Sequence, residues 1–140
     1  MRYWDASAIV PLLLEEPATG RVMSWLTTDR QILTWWGTAV ECASAIARLE
    51  RESKQKTGPW TRAYQRLREF GESWIEVQPS EMIRDSAIRL LRVHPIRSAD
   101  ALQLAAALVA AEQRPASLPF VSLDDRLTSI AGREGFSVLS

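Results

Sequence analysis

Apolar positions along the chain follow two different spacings. Short runs rich in strand-forming residues, such as 31–36, are separated by longer segments in which apolar residues recur at helical spacing. Helix-ending or turn-forming residues, including Pro17, Gly37 and Pro95, lie between these segments. The pattern predicts strands at 1–4, 31–36, 73–78, 119–122 and 136–139. It predicts helices at 5–14, 19–27, 38–53, 60–70, 80–93, 98–111 and 124–131.

The order of these elements indicates the fold class. Strands that alternate with helices favour a parallel sheet covered by helices on both faces. Right-handed crossovers then place every strand-to-helix turn at one edge of the sheet, where ligands bind in such folds. The 140 residues fit one domain large enough to bury its own core. The sequence therefore predicts a single α/β domain over residues 1–140.

Overall charge gives no argument for nucleic acid or a membrane surface as a partner. The formal net charge is zero, so any basic patch must be local. All but two of the 17 basic residues are arginines, the lysines being Lys54 and Lys56. This excess either serves phosphate or carboxylate recognition or reflects the composition of the genome.

The apolar content indicates a protein that stays in the cytoplasm. The first apolar stretch is interrupted by Asp5 and Pro11 and does not resemble an export signal. No apolar run approaches the roughly 20 residues of a membrane span. The single cysteine, Cys42, cannot form an internal disulfide and lies in an apolar helical run, where we expect a core residue. We therefore expect a soluble cytoplasmic protein.

Four acidic residues stand at predicted helix starts. Asp5 follows the first strand and Asp124 follows the fourth, so a parallel sheet brings both to one edge. Glu41 and Asp100 join them if the third and sixth helices begin at that edge. Crowded carboxylates repel one another unless a cation lies among them. An oxygen-only site suits Mg²⁺ or Mn²⁺, which can activate water and stabilise charge on a phosphoryl group.

Each acidic residue also has a purely structural interpretation. Asp5 and Asp124 are suited to be N-caps, and acidic residues are generally favoured at helix N-termini. Thr38 and Glu41 have the spacing of a capping box. Asp100 and Glu41, however, enter apolar runs, and a carboxylate at the mouth of a buried helix needs a partner. Context therefore favours a cluster over four separate caps.

Hydroxyl side chains accompany the three aspartates. Ser7, Ser98 and Ser122 each lie two residues from one of them. Such hydroxyls can orient a carboxylate or a metal-bound water. Serine also caps helices, and Ser98 fits that role equally well.

The acidic residues occur in four blocks that span the chain. The blocks are residues 3–10 (YWDASAIV), 40–49 (VECASAIARL), 97–105 (RSADALQLA) and 120–127 (FVSLDDRL). No block is specific by itself. Together, in this order and at these separations, they resemble the PIN-domain family, specifically the VapC-type toxins of prokaryotic toxin–antitoxin pairs.

The resemblance implies a PIN-like three-layer α/β/α fold with a short, mostly parallel central sheet. It implies a type II toxin that hydrolyses RNA phosphodiester bonds with Mg²⁺ or Mn²⁺ and is inhibited by a cognate antitoxin. By the motif match, the catalytic and metal-binding residues are Asp5, Glu41, Asp100 and Asp124. Ser7 and Ser122 carry over as supporting hydroxyls, Ser122 replacing a frequent threonine. Asp124, not the adjacent Asp125, is in register with the family pattern.

Basic and aromatic residues suggest where partners bind. Candidates for RNA contact are Arg48, Arg51, Lys54 and Lys56. Arg48 shares a helical face with Glu41 and can point into the acidic groove, whereas the second basic group fits a solvated face at least as well (Arg62, Arg66 and Arg68). The six tryptophans divide into expected core residues (Trp4, Trp35 and Trp74) and candidates for an interface (Trp25, Trp36 and Trp60). We expect a homodimer and a groove for an antitoxin segment, whose Arg or Lys could block the acidic site.

Two other functions compete with the ribonuclease interpretation. One is another Asp-based phosphoryl enzyme, such as a haloacid-dehalogenase-like phosphatase or a receiver domain. Asp5-Ala6-Ser7 lacks the second aspartate of the phosphatase loop, and no lysine lies near a late strand as a receiver requires. The other is a non-catalytic interaction domain of the same fold, which the intact acidic quartet disfavours. The only histidine, His94, precedes Pro95 at a helix end, where we expect a surface or capping role.

Overall fold

A parallel sheet forms the centre of the computed structural model, which describes residues 1–55 and 57–140. In these residues the sheet has five strands in the order β3-β2-β1-β4-β5, and every neighbouring pair is parallel. The strands are β1 (Arg2–Trp4), β2 (Ile32–Trp35), β3 (Ile75–Val77), β4 (Phe120–Val121) and β5 (Val138–Leu139). The short, parallel central sheet that was predicted is confirmed.

The described ranges also contain seven α-helices and one short 3-10 helix. The α-helices are α1 (Ala6–Leu13), α2 (Thr19–Thr28), α3 (Thr38–Glu52), α4 (Trp60–Ser73), α5 (Glu81–Val93), α6 (Ser98–Ala110) and α7 (Asp125–Arg133). The 3-10 helix covers Pro115–Ser117. The predicted helices all form with small shifts at their ends, whereas the 3-10 turn was not predicted.

Side chains that alternate along the strands divide the core into two layers. Tyr3, Leu33 and Phe120 face α5, α6 and α7. Their neighbours Trp4 and Val121 face the opposite layer, which is built from α1, α2, α3 and α4. Both layers are apolar because each strand is covered by helices on both faces. The structure is therefore a three-layer α/β fold.

The direction of chain connection reverses at the central strand. From β1 the chain proceeds to β2 and β3 on one side, and it returns to place β4 and β5 on the other side. In open α/β sheets, ligands bind outside the carboxyl ends of the strands at such a reversal point. The reversal lies between the ends of β1 and β4, which are followed by Asp5 and Ser122. We call this region the acidic edge, defined by Asp5, Glu41, Asp100 and Asp124.

Burial confirms several sequence-based expectations about the core. Trp4, Trp35 and Trp74 are buried, and so is Cys42. Of the three tryptophans expected at an interface, only Trp36 is exposed. Trp25 and Trp60 are partly buried against the layer of α1 to α4. No helix in the described part of the chain is long and apolar enough to cross a membrane.

Candidate active site

Asp5 is the buried centre of the acidic edge. It directly follows β1, and its side chain caps α1 by accepting a hydrogen bond from the Ser7 backbone N–H (3.2 Å). The same oxygen, Oδ2, also accepts from the Ser7 and Ser122 hydroxyls, the latter at 2.9 Å. The residue is only 4% exposed. Both interpretations of Asp5 are therefore compatible, because one oxygen caps the helix while Oδ1 has no donor among the described residues.

The two serines tie the ends of β1 and β4 together. The Ser7 and Ser122 hydroxyl oxygens lie 3.2 Å apart. Ser7 Oγ accepts from the Leu123 backbone N–H at 2.9 Å, and Ser122 Oγ accepts from the Asp124 backbone N–H at 3.1 Å. Residues more than a hundred positions apart in sequence are thereby held in a fixed relation at the reversal point.

Asp124 follows this serine bridge and begins α7. Its Oδ1 accepts a hydrogen bond from the Leu127 backbone N–H at 2.9 Å, so the expected N-cap is formed. Asp124 is half-buried, whereas Asp125 is exposed. The structure thus places Asp124 on the inner side, as the register of the motif suggested.

Glu41 is held by a buried glutamine that sequence analysis did not select. Gln103 Nε2 donates to Glu41 Oε1 at 3.1 Å and to Thr38 Oγ1 at 2.9 Å. The amide is oriented from its other end, because the Tyr3 hydroxyl donates to Gln103 Oε1 at 2.7 Å. Gln103 is fully buried on α6. The carboxylate of Glu41 is therefore fixed by a chain of hydrogen bonds that starts on β1.

The capping box expected at the start of α3 does not form. Gly37 is the N-cap residue and contributes no side chain. Thr34 Oγ1 instead lies 2.7 Å from Thr38 Oγ1, so the two hydroxyls are hydrogen-bonded. The Thr34 hydroxyl donates to the Trp4 carbonyl oxygen at 2.7 Å. Both threonines are buried, so their hydroxyls bond to one another and to buried partners.

Asp100 completes the acidic edge from the first turn of α6. It is half-buried, and no hydrogen bond to its carboxylate occurs among the described residues. The partner expected for this carboxylate is thus not supplied by a side chain of the described chain. Ser98, two residues earlier, is exposed, and it does not cap α6, because Arg97 is the N-cap residue. Within residues 1–55 and 57–140 no hydrogen bond joins the Ser98 hydroxyl to an aspartate.

Electrostatics show that these carboxylates interact. Burial, followed by the charges of Asp5 and Asp100, raises the pKa of Glu41 from its ordinary value of 4.5 to about 7. Burial raises the pKa of Asp5 against the opposing hydroxyl bonds, with a smaller contribution from Asp124. The pKa of Asp100 is raised by burial and then by Asp124 and Asp5. The four carboxylates therefore form one electrostatic unit, because each of them either raises the pKa of another or has its own pKa raised by another.

The donor set of the acidic edge fits a hard divalent cation. Asp5, Glu41 and Asp124 each have one oxygen held by a protein donor and one oxygen without a donor among the described residues. Carboxylate oxygens are the ligands that Mg²⁺ and Mn²⁺ prefer, and oriented ligands are typical of metal sites. In the described residues no three acidic, histidine or cysteine side chains are arranged closely enough to form a finished metal site. The acidic edge therefore matches a divalent cation in the chemical type and the orientation of its oxygen donors.

The residues expected to contact RNA lie away from this cluster along α3. Arg48 and Arg51 are exposed, and Lys54 follows the helix end. Lys56 lies outside the described residues. A depression at the acidic edge is lined instead by two arginines and three aspartates, namely Arg97, Asp100, Asp124, Asp125 and Arg126. Sequence analysis named neither arginine as an RNA contact.

His94 has the capping role that was one of the two expected for it. It is the C-cap residue of α5, and its side chain is only 8% exposed. Its Nε2 lies 2.7 Å from Glu134 Oε1, and Arg89 pairs with the same carboxylate at 2.8 Å. The histidine is therefore also part of a partly buried link between α5 and the end of α7.

Comparison with known proteins supports the fold. No family model and no curated protein matches the sequence. A toxin–antitoxin complex from Klebsiella pneumoniae matches with a TM-score of 0.67 at 14% identity, covering 100% of this chain and 97% of that one. FitAcB from Neisseria gonorrhoeae gives 0.66 at 18% identity with the same coverage of 100% and 97%. PAE2754 from Pyrobaculum aerophilum gives 0.66 at 18% identity, covering 93% and 84%. At these identities the likeness shows a shared fold.

Proposed function

We propose that this chain is a metal-dependent endoribonuclease and the toxin of a type II toxin–antitoxin pair, of the PIN-domain kind. One observation carries the proposal. Four electrostatically coupled carboxylates lie at the reversal point of a parallel sheet. In three of them one oxygen is held by a protein donor, and the other has no donor among the described residues. The fold shared with a toxin–antitoxin complex and the four sequence blocks support the same function.

The side chains at the acidic edge have different roles in the proposed reaction. A bound Mg²⁺ or Mn²⁺ would supply an activated water and stabilise charge on the phosphoryl group. Asp5, Glu41 and Asp100 would hold the cation, and Asp124 would complete the cluster. The Ser7 and Ser122 hydroxyls keep Asp5 oriented, and Gln103 does the same for Glu41. Such orientation by neighbouring groups typically raises metal affinity or activity by roughly 10- to 100-fold.

Cleavage of RNA by purified protein tests this proposal. Total cellular RNA is incubated with wild type in Mg²⁺, in Mn²⁺ and in chelator, and new ends are mapped by sequencing. We expect cuts at defined positions that require metal. Asp100→Asn should reduce the rate by more than roughly a hundredfold, because it removes a charge from the cation site itself.

Glu72→Gln is the matched control for the RNA assay. Glu72 is an exposed glutamate on α4, outside the acidic edge. The Glu72→Gln variant should cleave RNA at the wild-type rate. Cuts that persist in Asp100→Asn or in chelator would indicate a contaminating nuclease, and the absence of cuts by wild type on every RNA class would favour a non-catalytic interaction domain.

An antitoxin partner is the second part of the proposal. Trp36 and Val40, which flank the start of α3 beside Glu41, are 53% and 69% exposed. Large exposed apolar side chains next to a functional site are typical of protein interfaces. An antitoxin segment could cover this apolar pair while a basic side chain enters the acidic edge. Trp36→Ser should then weaken inhibition by the co-expressed antitoxin, read as loss of growth in a bacterial host, without weakening cleavage of RNA.

A homodimer is the third part of the proposal. Four large apolar side chains of α5 are exposed, namely Met82, Ile88, Leu91 and Val93. Asp85 and Arg92 lie on the same exposed side and have opposite charges, which suits a self-complementary contact. Light scattering of the purified protein should give the mass of two chains, and Ile88→Glu should give the mass of one.

A further inference from the structure

Two arginines stand among the carboxylates at the rim of the acidic edge. Arg97 and Arg126 line the same depression as Asp100, Asp124 and Asp125. Both guanidinium groups influence Asp100, because their positive charges lower its pKa against the larger effects of burial and the neighbouring aspartates. The depression therefore offers positive and negative groups side by side.

Neither arginine is used to stabilise the described structure. Both are exposed, and neither forms an ion pair or a side-chain hydrogen bond within residues 1–55 and 57–140. Arg89 and Arg114, in contrast, each pair with a glutamate. The two arginines also lie at helix N-termini, since Arg97 is the N-cap residue of α6 and Arg126 is in the first turn of α7. Their positive charges therefore interact unfavourably with the helix dipoles. Cations are unfavourable at helix N-termini, so helix stability does not explain them.

The basic residues of α3 are poorly placed for the phosphate that reacts. The helix begins next to the acidic edge, and Glu41 is in its first turn. At about 1.5 Å per residue, Arg48 lies roughly 10 Å and Arg51 roughly 15 Å farther along the helix axis than Glu41. They could contact only more distant parts of a bound strand. Arg97 and Arg126 lie within the depression itself.

We propose that Arg97 and Arg126 position RNA by binding its phosphodiester backbone at the rim of the acidic edge. This inference rests on the proposed ribonuclease function. Arginine presents a rigid fork of donors that matches the non-bridging oxygens of a phosphate. The carboxylates of the acidic edge repel those oxygens, and nearby guanidinium groups would offset this repulsion together with a bound cation. Arg97 and Arg126 are positioning residues and take no part in proton transfer.

Binding and cleavage are measured separately for Arg97→Gln, Arg126→Gln and the control Arg133→Gln. Arg133 is exposed and lies at the opposite end of α7 from Arg126. The binding probe is a fluorescein-labelled single-stranded RNA of mixed sequence in Ca²⁺, titrated at several salt concentrations. Cleavage of total RNA in Mg²⁺ gives KM and kcat, and calorimetry with Mn²⁺ gives metal affinity without RNA.

Each rim variant should weaken RNA binding by about tenfold and lower the slope of log affinity against log salt by about one. KM should rise by a similar factor, and Mn²⁺ affinity without RNA should be unchanged or tighter, because removing a positive charge favours a cation. Arg133→Gln should behave as wild type in every measurement. A loss of Mn²⁺ binding with unchanged RNA affinity would overturn the inference, since the arginines would then only shape the carboxylate cluster.

Failure of the inference can be distinguished from failure of the proposed function. If wild type cleaves RNA and both rim variants keep its KM and salt slope, the ribonuclease stands and the assignment of these arginines is wrong. If wild type neither cleaves nor binds RNA, both proposals are wrong. Binding that depends on the two arginines in a protein that does not cleave would support the inference and contradict the catalytic function.

Discussion

Burial determines the protonation of the carboxylates at the acidic edge. Glu41, whose pKa is raised to about 7, is charged only in part at neutral pH while no cation is bound. Asp5 and Asp100 also have raised pKa values, and desolvation is the largest cause in both. The folded protein therefore maintains an energetically unfavourable group of charges, which is typical of functional sites.

The raised pKa of Glu41 predicts that pH affects the stability of the metal-free protein. An acid with a raised folded-state pKa stabilises the fold fully below its unfolded value of 4.5, and this contribution is lost as pH rises to about 7. Glu41→Gln cannot ionise, and its amide oxygen can still accept from Gln103. In chelator, the melting temperature of wild type relative to Glu41→Gln should therefore fall between these pH values. Melting temperatures of the two proteins that change with pH in the same way would contradict the burial of this charge.

Two serines provide a matched test of the hydroxyl bridge. Ser122 is fully buried and contacts Asp5 and the Asp124 backbone, whereas Ser98 is exposed. Ser122→Ala should destabilise the protein by about 1–3 kcal/mol, because buried partners lose hydrogen bonds, and it should reduce RNA cleavage by roughly 10- to 100-fold. Ser98→Ala should change neither quantity appreciably. Equal effects of the two variants, measured by urea unfolding and RNA cleavage, would contradict the assigned roles.

At the residue scale, sequence could indicate the acidic groups but not what orients them. Asp5 and Asp124 were predictable because each follows a strand and begins a helix. Gln103 was missed because it stands in an almost entirely apolar helical run, where periodicity predicts only core. Its partners Tyr3 and Glu41 are distant in sequence, and only the folded sheet brings them together.

Among the elements, α6 connects the two halves of the site. Asp100 lies in its first turn, and one turn later Gln103 joins it to β1 and α3. The rest of its buried surface is mostly alanine and leucine packed among α5, α7 and the sheet. Small side chains allow close packing, which fixes the direction in which the helix presents Asp100.

Loss of the Gln103 amide should weaken this connection. Gln103→Leu keeps the volume similar but removes the hydrogen-bond partner of Tyr3 and Glu41 and one of the two partners of Thr38. We therefore expect a loss of about 2–4 kcal/mol in the free energy of unfolding. Gln103→Glu offers a control of the same size that can still accept from Tyr3 but adds a charge beside Glu41. It should be destabilised most at neutral pH and least at acidic pH, as measured by chemical unfolding. A loss below about 0.5 kcal/mol for Gln103→Leu would mean that the network does not hold α6.

Element identity was predictable from periodicity, while element ends were not. The strand at residues 75–77 and the long α4 both emerged from the pattern, but α4 extends to Ser73 where the pattern ended it earlier. Strands β4 and β5 contain only two residues each, and both residues of one strand pair with those of the other. Local sequence does not record such limits, which depend on pairing partners far along the chain.

For the whole molecule, the reversal of strand order explains why the residues of the candidate site lie together at one edge of the sheet. The order β3-β2-β1-β4-β5 leaves the ends of β1 and β4 uncovered by a crossover. Asp5, Ser122 and Asp124 come directly from those ends, and α3 and α6 bring Glu41 and Asp100. The alternation of elements predicted the parallel sheet and the edge at which the acidic residues lie. The strand order itself was not predictable, because hydrophobic pattern does not specify which strands are neighbours.

The most direct test of the account is cation binding by the acidic edge without any RNA. Calorimetry and electron paramagnetic resonance with Mn²⁺ are applied to wild type, Asp5→Asn and the exposed-site control Glu72→Gln. The account predicts saturable binding by wild type and Glu72→Gln at neutral pH, with Asp5→Asn weakened by at least about tenfold. Binding of equal strength in all three proteins, or none in wild type at millimolar Mn²⁺, would show that the four carboxylates are not a metal centre.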